Sequence, residues 1–330
     1  MLRLMMIALL ISTLCTEYIS EKGRSAPTVT FERILWWLPE NTETLIVSKG
    51  PYTFIDSKTS EIKTLKHRLE QAPYGPLSII QRGKFLKPLL GQTILLSVEG
   101  SRKFRPPSNL GSMLYDGCHV FVFGQDFSSV RDSFIKQLEP QAKEVQTLAG
   151  HQVMVFEEML EGDLWKIFIA SPQPDVILCA TDQSFLTETL NRINLKAKNR
   201  ALPESLPEWK QVDTTAQFWA IRHYDKENAL IDTTSPLHEK ASTSDKQAVG
   251  VTLTYNPNGD NEARIKYLSG NTEAAITANK NWNSSSYKLN AKINSSAPGV
   301  VEVVINPDNP AVLPILLLSL FSVFGHALYI

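Results

Sequence analysis

Val249-Gly250-Val251-Thr252-Leu253-Thr254-Tyr255 alternates apolar residues with small or polar ones, the period of two that marks a half-buried strand. Asn258-Gly259 follows, a pair that accepts positive φ at both positions and suits a tight hairpin. The return strand sets Ala263, Ile265 and Tyr267 against Glu262, Arg264 and Lys266. Tyr287, Leu289, Ala291 and Ile293 alternate with Ser286, Lys288, Asn290 and Lys292, and Val300–Ile305 is apolar except for Glu302. Four such strands imply an antiparallel sheet with one wet face and one apolar face. The apolar face needs a cover.

The segment after that sheet is the natural candidate. Asp308 can cap a helix and Pro310 sits where a missing N–H does no harm. Leu313, Leu316, Leu317, Leu320, Phe321 and Phe324 then recur at three and four spacing, with Ser319, Ser322, Gly325 and His326 on the other side. Ala311–Ile330 therefore has three readings: a core helix on the sheet, a transmembrane anchor, or a tail exchanged for a lipid behind Asn294, Ser295 and Ser296. His326 and Pro314 inside the run, with no Lys or Arg after it, speak against a span. The sheet's need for a cover favours the core helix.

Elsewhere the chain reads as an exported protein. Arg3 precedes the apolar run Leu4–Ile11, the layout of a signal peptide occupying residues 1–20 with cleavage between 15 and 26. Cleavage there leaves Cys118 and Cys179, both inside apolar strands, where free buried thiols are favoured over a disulfide. A net charge of −1 argues against nucleic acid as a partner, which needs a basic face. A membrane surface or another protein is the partner class that this charge admits.

A first α+β unit is expected over residues 27–200 and a second over 201–330, the second ending in the apolar helix. The expected first-unit elements are a helix within Pro27–Glu40 and strands Thr44–Ser48 and Thr93–Glu99, with helical structure in residues 58–90 between them. Next come strand Cys118–Phe123, helix Ser129–Leu138 capped by Ser129 and Asp132, and a hairpin about Ala149-Gly150 within Val145–Phe156. Strands Leu164–Ala170 and Val176–Ala180 flank a Ser-Pro-Gln-Pro-Asp turn, and Asp182–Ile193 closes the unit as a helix. Trp36-Trp37 suggests packing beneath a sheet, with a membrane-interface anchor as the alternative. Leu38-Pro39-Glu40 and Leu206-Pro207-Glu208 each precede a strand, the second being Ala216–Tyr224. That echo, with similar element order after each, predicts duplication of a β-β-α-β-β-α-like unit, antiparallel sheets each covered by helices. A polar loop is expected at Lys226–Gln247.

Catalytic signatures are missing. There is no Gly-x-Ser-x-Gly elbow, no His-Glu-x-x-His helix, no phosphate-cradling Gly-rich loop and no Cys-x-x-Cys. No cofactor, metal or catalytic residue is therefore expected. Asn256–Asn261 has the oxygens of a calcium loop without its ligand spacing, and reads as a turn. Glu157, Glu158, Glu161 and Asp163 read as a solvated hairpin loop. Arg102, Lys103 and Arg105 run into Pro106-Pro107 and form the one candidate binding site, an exposed loop for an anion or lipid headgroup. The functional expectation is a non-catalytic binding or assembly protein at the outer face of a membrane, secreted or periplasmic. The alternatives are a hydrolase with an unfamiliar site near His119 and His151, and a surface protein anchored by Ala311–Ile330.

Overall fold

The structure, a computed structural model, describes residues 29–53, 92–105, 114–160, 163–195, 197–223, 250–255, 262–268, 292–297 and 300–306. The expected signal peptide over residues 1–20, the helical stretch expected in residues 58–90, Lys226–Gln247, the turn expected at Asn258-Gly259, Tyr287–Ala291 and Ala311–Ile330 lie outside them. The chain divides into two compact units. One takes residues 1–42 and 47–201; the other takes residues 43–46 and 202–330.

Twelve strands form one antiparallel sheet, and three short α-helices accompany it among the described residues. The strands are β1 (Thr44–Thr53), β2 (Thr93–Arg105), β3 (Leu114–Phe123), β4 (Glu144–Leu148), β5 (His151–Leu160) and β6 (Asp163–Gln173). After them come β7 (Val176–Ala180), β8 (Phe218–His223), β9 (Gly250–Tyr255), β10 (Ala263–Leu268), β11 (Lys292–Ala297) and β12 (Val300–Ile305). Their order is β11-β12-β10-β9-β8-β1-β2-β3-β7-β6-β5-β4. The helices are α1 (Phe31–Trp37), α2 (Phe127–Leu138) and α3 (Gln183–Asn194), all in the first unit. This corrects the expectation of separate sheets, each under its own helices, and of a duplicated unit. The physical reason lies in the echo itself. Leu38 ends α1 and Glu40 stays exposed, whereas Pro207 opens a 3₁₀ turn (Pro207–Lys210) whose Glu208 is fully buried. Equal tripeptides serve unlike local structures.

In the first unit the inner stretches of β3, β5, β6 and β7 are apolar at nearly every position because both faces are covered there. Phe121, Phe123, Met154, Phe156, Ile167, Ile169, Ile177 and Cys179 cluster with Phe127, Phe134 and Leu138 of α2 on one face. The alternate residues Val120, Val122, Val153, Val155, Phe168, Ala170 and Leu178 are buried too, and α3 packs against β3, β6 and β7. Asp182 caps α3, its carboxylate accepting from the Phe185 amide at 2.7 Å, as the sequence suggests. The helix α2 begins earlier than expected and lacks the Ser129–Asp132 cap. The Ser129 hydroxyl instead donates back to the Asp126 carbonyl at 2.6 Å. Ala149 and Gly150 both have positive φ (49° and 80°), the backbone of a tight β4–β5 hairpin.

In the second unit the alternation read from the sequence is realised in the ladder. Leu253 faces Ile265 and Ile265 faces Val303; Tyr255 faces Ala263 and Ala263 faces Ile305. All six are buried, while Arg264 is exposed. Trp219 and Ile221 lie on the other face, where Trp209 meets Trp219 edge-on at 5.9 Å and its indole N–H donates to the Leu202 carbonyl at 3.1 Å. Thr252 shares that face and is 1% exposed.

Candidate functional site

Arg102 stands within β2, which runs on to Arg105 because Arg105 still pairs with Leu114. The basic run is therefore strand rather than loop. One guanidinium nitrogen donates to the Asn41 side-chain oxygen at 2.9 Å and to the Glu188 carboxylate at 3.1 Å. The other donates to the Ser184 hydroxyl at 2.9 Å and lies 3.8 Å from the Asp182 carboxylate. The guanidinium carbon sits 5.1 Å over the Phe185 ring. A planar fork used on both prongs, stacked on an aromatic face, is a clamp between β2 and the start of α3. The side chains of Lys103 and Arg105 lie outside the described residues.

His119 and His151 do not meet. His119 stands opposite Cys179, Cys179 opposite Ile169, and Ile169 opposite Met154, all on one face. His151 lies three residues from Met154 and so points to the other face. His119 Nε2 is 3.3 Å from the Glu99 carboxylate of the paired strand. His151 Nε2 is 3.0 Å from the Asn194 side-chain oxygen, and the Asn194 amide donates to the Ala149 carbonyl at 2.9 Å. Asn194 thus fastens the end of α3 to the hairpin turn.

The same register separates the cysteines. Cys179 shares the face of His119, whereas Cys118 pairs with Ala180 on the other. Their Cβ vectors point apart and both thiols are free. Burial pushes both thiols well above the ordinary value of 9.0, and Cys179 adds to the shift at Cys118.

The most chemically loaded arrangement is one that sequence reasoning missed. Glu208 is 0% exposed. One of its carboxylate oxygens lies 2.8 Å from His223 Nδ1, and the other, Oε2, has no hydrogen-bond partner among the described residues. Gly250, opposite His223 in the ladder, leaves the room for it: a Cβ there would fall 1.7 Å from Glu208 Oε1. Pro207 opens the turn, and the Gln211 and Val212 amides both donate to the Glu208 carbonyl. The result is a buried carboxylate that orients an imidazole whose side chain is 27% exposed. Pro207-Glu208 at the head of a turn and Gly250 at the head of a strand are its sequence signals. Neither points to the other.

No group of three or more His, Cys, Asp and Glu that could hold a metal ion occurs among the described residues. No helix among them is long and apolar enough to cross a membrane. The fold and its side-chain clusters define a class no finer than a protein built on one large antiparallel sheet. Comparison with protein-family models, with curated proteins and with solved structures finds no match.

Proposed function

We propose that the chain is a non-catalytic binding or assembly protein working outside the cytoplasm at the outer face of a membrane. The observation that supports this best is the employment of the reactive side chains. Arg102, His119 and His151 each direct their polar atoms at a neighbour within the fold, and the two histidines face opposite sides of the sheet. The apolar run Leu4–Ile11 behind Arg3 supports export. Fractionation of cells making the tagged full-length chain tests the reading. Recovery with membranes, together with cleavage by protease added to intact cells, is the expected result. Recovery in the cytosol, shielded from the protease, contradicts it.

A second reading rests on Glu208 and His223. A carboxylate on Nδ1 fixes the orientation of the imidazole, the arrangement by which a buried acid prepares a histidine for proton transfer. In that reading the protein is an enzyme, with His223 as its acid or base and Glu208 as the positioning residue.

A further inference from the structure

We infer that the surface formed by the end of α1 and the segment following α3 docks onto an anionic lipid surface, with Trp36 and Leu195 entering the headgroup layer. The inference deepens the membrane-face reading above and rests on it. Three large apolar side chains are exposed among the described residues: Trp36 at 42%, Val145 at 41% and Leu195 at 68%. Two of them belong to one surface. Arg192 Nε donates to the Trp36 carbonyl at 3.2 Å, and its guanidinium also bonds the Asn199 carbonyl. Leu195 follows Arg192 by three residues at the end of α3. The Ala201 amide donates to the Leu35 carbonyl at 2.8 Å and the Asn199 side-chain amide to the Glu40 carboxylate at 2.8 Å, which ties Arg192, Asn199 and Ala201 to the end of α1.

The tryptophan pair is split by this arrangement. Trp37 is 3% exposed, with the Arg33 guanidinium 5.5 Å over its ring, while Trp36 faces outward beside it. An indole offers an apolar body and a polar N–H, the combination that settles at a bilayer interface. The charge around it favours an anionic lipid. Residues 31–40 and 188–201 carry Arg33, Arg192, Lys196, Lys198 and Arg200 against Glu32, Glu40 and Glu188, on a chain whose net charge is −1. Cations next to an anionic leaflet each add to the attraction. A protein partner would not require that local positive excess.

The test is co-sedimentation of the full-length chain with vesicles of phosphatidylglycerol and phosphatidylcholine, and with vesicles of phosphatidylcholine alone. Binding to the anionic vesicles that weakens with salt is expected. Trp36→Ala should lower it about tenfold and Lys198→Glu about fivefold. Val145→Ala, the exposed apolar residue on β4, should leave it unchanged. Circular dichroism of each variant identical to that of the parent excludes misfolding as the cause. Binding by the parent that Trp36→Ala and Leu195→Ser leave untouched overturns this surface and spares the membrane-face reading. Equal binding to neutral vesicles overturns the charge argument and with it the inference. A parent chain that binds neither vesicle overturns both.

Discussion

The tripeptide Leu-Pro-Glu occurs in each unit shortly before a strand, and its two copies do different work. In Leu38-Pro39-Glu40 the leucine is the buried element, its methyl groups pressed against Gly100, where a Cβ would come within 2.6 Å of Leu38 Cδ1. The glutamate is exposed and meets Asn199. In Leu206-Pro207-Glu208 it is the glutamate that is buried against a glycine, Gly250, and tied to His223. One unit fills the space over its glycine with hydrocarbon, the other with a carboxylate. Sequence identity over three residues therefore says nothing about which group faces inward. The leucine backbone is extended in both copies, and what differs is what the tripeptide adjoins: the end of α1 before Leu38 and the head of a 3₁₀ turn after Leu206.

The difference can be broken by substitution. Gly250→Ala should have the largest effect, a loss of about 3 kcal/mol in denaturant unfolding, because the added methyl meets a carboxylate pinned by its histidine. Gly100→Ala meets the end of a leucine that can turn aside, and should lose about 1 kcal/mol. Equal losses would remove the distinction. Glu208→Ala comes next, at about 2 kcal/mol, since it leaves His223 without its buried partner. Glu40→Ala should stay within about 0.5 kcal/mol, as exposed sites do. Arg102→Ala should destabilise the first unit by about 2 kcal/mol through loss of its charged hydrogen bonds, without altering affinity for inorganic phosphate. A fall in phosphate binding by a folded Arg102→Ala protein would restore the anion-site reading of β2.

The contrast between the units extends to pH. Burial raises both thiols of the first unit above the ordinary value of 9.0. The unfolded chain then releases protons that the folded chain keeps, so the stability these thiols contribute is intact below pH 9 and declines above it. The decline should be about 1.4 kcal/mol per pH unit for each thiol. Cys179→Ser should flatten the alkaline limb of the stability profile, and a thiol reagent should not label the native protein at neutral pH.

Local patterning made much of the fold legible. Alternation placed Leu253, Tyr255, Ala263 and Ile265 on one face, Ala149-Gly150 marked its hairpin, and Asp182 marked the start of α3. Contacts distant in sequence were not legible. Arg102 reads as a solvated cation because its partners Asn41, Ser184 and Glu188 lie 61, 82 and 86 residues away. The single sheet could not be read either. Which strand edges join depends on pairings such as β10 with β12, which leave no mark in the alternation of either strand. Glu208 resembled any surface glutamate in a polar turn. Its burial follows from a glycine 42 residues further on, a relation no local period encodes.

Turnover is the most direct test of whether the protein binds or catalyses. The parent chain and a folded His223→Ala variant, confirmed by circular dichroism, would be assayed side by side against ester, peptide and glycoside substrates across neutral pH. The account predicts no turnover above the buffer blank for either. Turnover by the parent that disappears in His223→Ala, and falls in Glu208→Gln with a displaced pH profile, would contradict it and make the buried pair an active site.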